Sequence, residues 1–334
     1  MKFLGITAFF LVLIPDLAGA QNFEGYFSQP VKCAPYKECV VQQYVDLDPS
    51  SGRSDYACGK ASYDGHKGTD FRLVNGRVYH QNIDVVAMAD GTVLRVRDGV
   101  MDKLVHGPED LHRLEGKDCG NGLVIDHGAG VEAQYCHLKR GSLIVRPGER
   151  VARGDKLGHV GLSGKTEMPH VHVTFRYKGK IVDPYVGLVD QSAGSCPLTR
   201  RPWWNQQVLD AFPYQSSLII EAGFSNRTFK SGEREATVFD DGVKPDSPAL
   251  VAFVRLINLK KGDQVELKLN GPEGSGLALH KRMQAEAKYQ ARKIYFLGKK
   301  RRNNLWPTGT YQGRALVWRD GELVHEKGFS TQVN

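Results

Sequence analysis

"GKTEMPHVHVTFRY", residues 164–177, carries two histidines one residue apart inside an alternating pattern. Val171, Val173 and Phe175 interleave with His170, His172 and Thr174 at the period of two that marks a β-strand. Side chains two apart on a strand share a face. The strand therefore offers an apolar face to a core and sets two imidazoles side by side on the other. Taken alone, the pair fits a polar outer face as well as it fits a metal site, so any further chemistry has to come from elsewhere in the chain.

From about Tyr56 to Asp190 the neighbouring sequence has the same character. "DGTVLRVRDG", "NGLVIDHG", "VEAQYCHL" and "PHVHVTFRYKGKIVDPY" are short β-type runs separated by glycine turns, which predicts an all-β sheet domain. One long interruption, "GVMDKLVHGPEDLHRLEGKD", lies between Asp98 and Cys119. Pro108-Glu109-Asp110 would open a short helix there, and a connection of this length reads as a wall or lid beside a site. After "CPLTRRPWWNQQ" a second strand series begins, including "ALVAFVRLINL", "AKYQARKIYFLG" and "TGTYQGRALVWRDGELVHEKGFSTQV". About 120 residues of this kind predict an immunoglobulin-like β-sandwich.

The length of 334 residues agrees with two domains, since single cores stop growing near roughly 250–300 residues. The expected layout is a signal peptide at 1–20, an N-terminal disulfide-pinned arm at 21–55, a sheet domain at 56–195, a linker at 196–210 and the sandwich at 211–334. The signal peptide is read from Lys2, an apolar run and Ala18-Gly19-Ala20. It predicts export to the periplasm or the exterior, and no later stretch is apolar for long enough to predict a membrane span. Export makes the six cysteines disulfide candidates. Cys119 and Cys136 flank a hairpin whose closure brings them together, "CAPYKEC" suggests Cys33 with Cys39, and Cys58 with Cys196 is left. The formal net charge of +8 favours anionic surroundings. Nucleic acid is not expected, because the chain has no recognition motif for it. The run "KKRR" at 299–302 reads as a solvated loop, with anion attraction as the alternative.

Upstream, "YDGHKGTDF" places His66 and Asp70 four apart, and Gly65 and Gly68 favour a turn into a strand over a helix. Downstream, "QYCHL" ends the second strand of the hairpin with His137. In order and approximate spacing, "GHKGTDF", "VVAMADGTV", "CGNGLVIDHG", "YCHL", "VRPGERVARGDKLGHVGLSGKT" and "PHVHV" resemble the lysostaphin-type, LytM-like zinc endopeptidases, over roughly Gly65 to Pro184. The resemblance implies that His66, Asp70 and His172 bind one zinc ion per chain and that His137 and His170 are catalytic. It implies a peptidoglycan hydrolase that cuts peptide stems or cross-bridges. The alternatives are a secreted protease of glycine-rich proteins and a non-hydrolytic regulator of cell-wall amidases, a class that typically lacks the ligands present here. Met168 and Thr174 stand where the family often has glycine and glutamate, which leaves substrate preference open. His80, His106, His112, His127, His159 and His280 are expected at surface or turn positions, with His106 and His112 nearest to a substrate. The sequence names no partner for the sandwich.

Overall fold

A computed structural model describes residues 23–105, 107–188, 200–229 and 242–334. The predicted signal peptide, His106 and Cys196 lie outside the described residues, and with Cys196 goes the expected third disulfide. Among the described residues the fold is all-β and antiparallel apart from three short helices. Its principal sheet contains β1 (Cys39–Gln43), β2 (Thr69–Leu73), β4 (Gly91–Arg97), β5 (Asn121–Asp126), β6 (Val131–Leu138), β7 (Arg150–Val151), β9 (His170–Tyr177) and β10 (Lys180–Val182). β3 (Asp84–Val86) and β8 (Lys156–His159) form a separate pair. The helices are α1 (Gly76–His80), α2 (Pro108–Arg113) and α3 (Gln206–Ala211).

The principal sheet runs β1-β2-β9-β6-β5-β4-β7, so β9 is central. Its alternation works as the sequence predicts: Val171, Val173 and Phe175 are fully buried. The partners follow the same parity, with Phe71 and Leu73 from β2 and Val131, Ala133 and Tyr135 from β6 on the core side. Register then fixes the opposite face, because Asp70 and Cys136 both lie opposite His172, while Arg72 lies opposite His170.

Aromatic side chains from outside the sheet cover the apolar face. The Phe27 ring centroid lies 4.7 Å from that of Phe175, and Trp204 lies 5.4 Å from Phe175 and 5.7 Å from Phe71. The segments expected as arm and linker thus supply much of the core under the principal sheet, and the arm also contributes β1 at the sheet edge. Cys33–Cys39 and Cys119–Cys136 are bonded.

The C-terminal part packs two sheets face to face. One is β11 (Leu218–Ser225), β12 (Ala249–Leu259) and β15 (Gln290–Lys300); the other is β13 (Gln264–Asn270), β14 (Ala278–Arg282), β16 (Gly309–Arg319) and β17 (Glu322–Val333). Val254, Leu256, Val265, Leu267, Ala315 and Val317 fill the space between them. The sandwich is joined to the principal sheet: Ile220 and Ile257 belong to the same apolar cluster as Phe71 and Phe212. Across this seam Asn258 Nδ2 donates to the Gln42 carbonyl at 2.7 Å, and Gln42 Nε2 donates to the Ala291 carbonyl at 3.3 Å. Among the described residues no helix is long and apolar enough to cross a membrane.

Candidate metal centre and active site

His66 reaches the site from the turn before β2, Asp70 from β2 and His172 from β9. His66 Nε2 lies 3.2 Å from Asp70 Oδ1 and 3.1 Å from His172 Nδ1, and His172 Nδ1 lies 2.8 Å from Asp70 Oδ1. A tetrahedral zinc with bonds of about 2.0–2.1 Å separates its ligand atoms by roughly 3.3–3.4 Å. Two edges of the triangle approach that separation, and the His172–Asp70 edge of 2.8 Å would open to admit an ion. The donors, two imidazoles and a carboxylate, match zinc in chemical type as well. Gly68 makes room for the arrangement, since a Cβ there would stand 2.6 Å from His172 Nε2 and 2.5 Å from the Val173 carbonyl oxygen.

Hydrogen bonds orient each ring from behind. His66 Nδ1 donates to the Tyr44 carbonyl at 2.7 Å, which turns Nε2 toward Asp70. His172 Nε2 bonds Thr174 Oγ1 at 2.9 Å, which leaves Nδ1 for the triangle. Thr174, the departure from the family pattern, therefore supports a candidate ligand. Outer partners of this kind fix tautomer and ring orientation at metal sites.

His137 and His170 lie beside the triangle with ring centroids 4.6 Å apart, and His170 Nε2 is 3.6 Å from Asp70 Oδ1. His137 Nδ1 donates to the Ser163 carbonyl at 2.8 Å, and His170 Nδ1 donates to the Met168 carbonyl at 3.0 Å. A carbonyl can only accept, so the neutral form of each ring keeps its proton on Nδ1 and its lone pair on Nε2. Burial, then the neighbouring His170 and His172, holds the His137 pKa well below the ordinary histidine value. Burial also lowers His170, opposed in part by Asp70. Burial disfavours charge on His66 as well, yet Asp70 beside it leaves that ring above its ordinary value. Asp70 is itself desolvated, and its histidine neighbours still hold it well below the usual carboxylate range. Two imidazoles that stay uncharged at neutral pH thus flank an ionised carboxylate.

His137 has φ of +64°, in the left-handed region that non-glycine residues rarely occupy. Strain of this sort gathers at functional positions, where surrounding bonds enforce it. Here the His137 amide donates to the Cys119 carbonyl at 2.8 Å, directly beside the Cys119–Cys136 bond.

The long connection packs against this region. Val105 N donates to the Thr166 carbonyl, and Asp102 accepts from Leu162 N and Arg140 N. α2 begins at Pro108 as predicted. His127 departs from the surface expectation: it is buried, with Nδ1 donating to the Asp90 carbonyl and its ring edge-on to Phe27, so it belongs to the core. Tyr63 was not singled out by its sequence position. Its ring lies 4.4 Å from that of His66 and is 47% exposed at the mouth of the site, and burial with nearby Asp70 raises its pKa.

His66, Asp70 and His172 thus form a donor set that could hold a metal ion, on an antiparallel sheet with two further histidines beside it. Residues 64–184 match the model of Peptidase family M23. An uncharacterized metalloprotease of Haemophilus influenzae is 28% identical over 137 residues, covering 41% of this chain and 24% of that protein. Peptidoglycan DD-endopeptidase ShyA of Vibrio cholerae is 29% identical over 118 residues, covering 35% and 22% respectively. Among solved structures, the catalytic domain of lysostaphin from Staphylococcus simulans is 19% identical with a TM-score of 0.27, covering 42% of this chain and 85% of that one. The matches span about a quarter of the length of these two curated relatives.

Proposed function

We propose that this chain is an exported zinc endopeptidase that hydrolyses peptide bonds in peptidoglycan stems or cross-bridges. The observation that carries the reading is the donor triangle of His66, Asp70 and His172 with two uncharged imidazoles beside it. Zinc held by these three side chains would supply a Lewis acid and an activated water at neutral pH. His137 and His170 do the proton work. Each has Nδ1 committed to a backbone carbonyl, so each accepts a proton at Nε2. Once charged, either imidazolium stabilises the negative charge that builds on the scissile carbonyl oxygen, and it returns the proton to the departing amine. The polar face of β9 orients an extended peptide across the site, while Tyr63 screens its mouth.

The family match and relatives such as peptidoglycan DD-endopeptidase ShyA support the substrate class. Digestion of purified peptidoglycan, with mass spectrometry of the new termini, tests the reading and identifies the bond. New amino and carboxyl termini within stems or cross-bridges are expected. Intact peptidoglycan after incubation with the zinc-loaded protein would overturn it.

A further inference from the structure

The segment from Lys281 to Arg302 is strongly basic. It contains "KR" at 281–282, Lys288, "RK" at 292–293 and "KKRR" at 299–302, with Glu286 as its sole acidic residue. Glu286 is buried and receives the Tyr295 hydroxyl, with Lys293 3.9 Å away, so it leaves the surface charge of the segment unbalanced. Lys281, Arg282, Lys288, Lys299, Lys300 and Arg302 are exposed. Lys299, Lys300 and Arg302 form no ion pair among the described residues. Like charges held this close repel one another, so this end of the strand attracts anions.

Position argues more strongly than charge. β15 begins at the seam with the principal sheet, where Gln42 Nε2 of β1 donates to the Ala291 carbonyl. Arg292 Nη1 donates to the Glu167 carbonyl at 3.1 Å, and its Nη2 pairs with the Glu167 carboxylate, in the loop that leads into His170. From there β15 runs outward to Lys300 antiparallel to β12. At about 3.4 Å per residue its eleven residues form a ribbon roughly 35 Å long. One end meets the site and the other carries the densest positive charge. A polymer engaged at the histidines and continuing past Arg292 would meet that ribbon.

We propose that the β14–β15 edge of the sandwich is an exosite for the polymer being cut, binding free carboxylates on neighbouring peptide stems. This rests on peptidoglycan being the substrate. It assigns the sandwich the task of holding an insoluble, multiply charged substrate in register with the site.

Pelleting of the full zinc-loaded chain with purified peptidoglycan tests the exosite, with released peptides measured in the supernatant. A basic side chain beside an anionic surface contributes roughly fivefold in affinity at moderate salt. The triple variant Lys299→Gln, Lys300→Gln, Arg302→Gln is therefore expected to bind at least about tenfold more weakly than wild type, with an unchanged melting temperature. Converting the peptidoglycan carboxylates to neutral amides should weaken the wild type to the same extent. Undiminished pelleting of the variant, or equal binding of amidated polymer, overturns the exosite; so does tighter binding to anionic lipid vesicles than to peptidoglycan. Pelleting that depends on the ribbon without peptide release supports the exosite and overturns the proposed activity. Peptide release with ribbon-independent pelleting does the reverse.

Discussion

At the scale of single residues, the proposed function separates groups that would hold a metal from groups that would move a proton. His172→Ala removes a corner of the triangle and is expected to abolish zinc retention in metal analysis of the folded protein. His170→Ala leaves the triangle complete and should retain zinc while losing about 10²- to 10⁴-fold in kcat, the usual scale for a general acid–base group. Equal zinc loss in both variants would refute the division. Thr174→Val removes the partner of His172 Nε2, and loss of such an outer contact should weaken zinc binding by about 10- to 100-fold in a chelator competition. The pH dependence follows from His137. Its native pKa lies below the ordinary value, so the lone pair at Nε2 persists as pH falls past about 6.5 and disappears only below that. The acid limb of kcat/KM should accordingly fall below pH 6.5, and a midpoint above that value would contradict this assignment. The five candidate side chains came from the resemblance to the lysostaphin-type family, because the His-x-His and His-x-x-x-Asp spacings alone fit a polar surface as well as a site. Their supports were not legible in the sequence. Tyr44, Ser163 and Met168 act through backbone carbonyls, which every residue has, and Tyr63 is brought to the mouth by the turn that carries His66.

At the scale of elements, alternation made β9, β6 and β5 readable, because burial of one face imposes a period of two. β1 lacked that signal. "CVVQQ" is buried along its whole length, so its place at the sheet edge depends on pairing with β2, which local sequence does not encode. The hairpin of β5 and β6 shows how an element delivers chemistry. Its open end is closed by Cys119–Cys136, and the residue after Cys136 is His137 in its strained conformation. Gly120 is needed there: it has φ of +63°, and a Cβ would meet the Ser163 backbone at 2.4 Å. Ser163 in turn orients His137. Replacing both cysteines with serine should cost about 2–4 kcal/mol of stability. It should also lower turnover measured well below the melting temperature, because a displacement of about 1 Å at a catalytic group can cost roughly a hundredfold. Zinc content should stay at wild-type level, since none of the three candidate ligands lies on this hairpin. Full turnover in the folded double variant would show that the disulfide does not position His137.

At the scale of the whole molecule, the sequence divides into two strand series, yet the structure joins them through a shared interior. Ile220 and Ile257 of the sandwich pack within the cluster that lies under the catalytic sheet. Arg72, fully buried beside the site, donates from Nη1 to Gln42 Oε1 at 2.6 Å, and the Gln42 backbone carbonyl receives Asn258 Nδ2. Asn258 Oδ1 also accepts the Tyr289 hydroxyl at 2.5 Å. Separating the two parts would therefore expose apolar surface and strand buried polar groups together, so neither part has a boundary at which it can melt alone. Calorimetry of the full chain should show one cooperative transition, and two resolved transitions would refute the coupling. Asn258→Ala probes the seam directly. It leaves the Gln42 carbonyl and the Tyr289 hydroxyl without their partner, at a cost of about 1–3 kcal/mol for each buried group left unsatisfied. For domains of about 150–250 residues, each kcal/mol moves the midpoint by roughly 2–4 °C. The variant should lower the midpoint of the entire transition by several degrees, and loss of catalytic activity on heating should shift with it. A variant in which the sandwich melts earlier while peptidase activity survives to the wild-type temperature would show that the seam does not join the two parts.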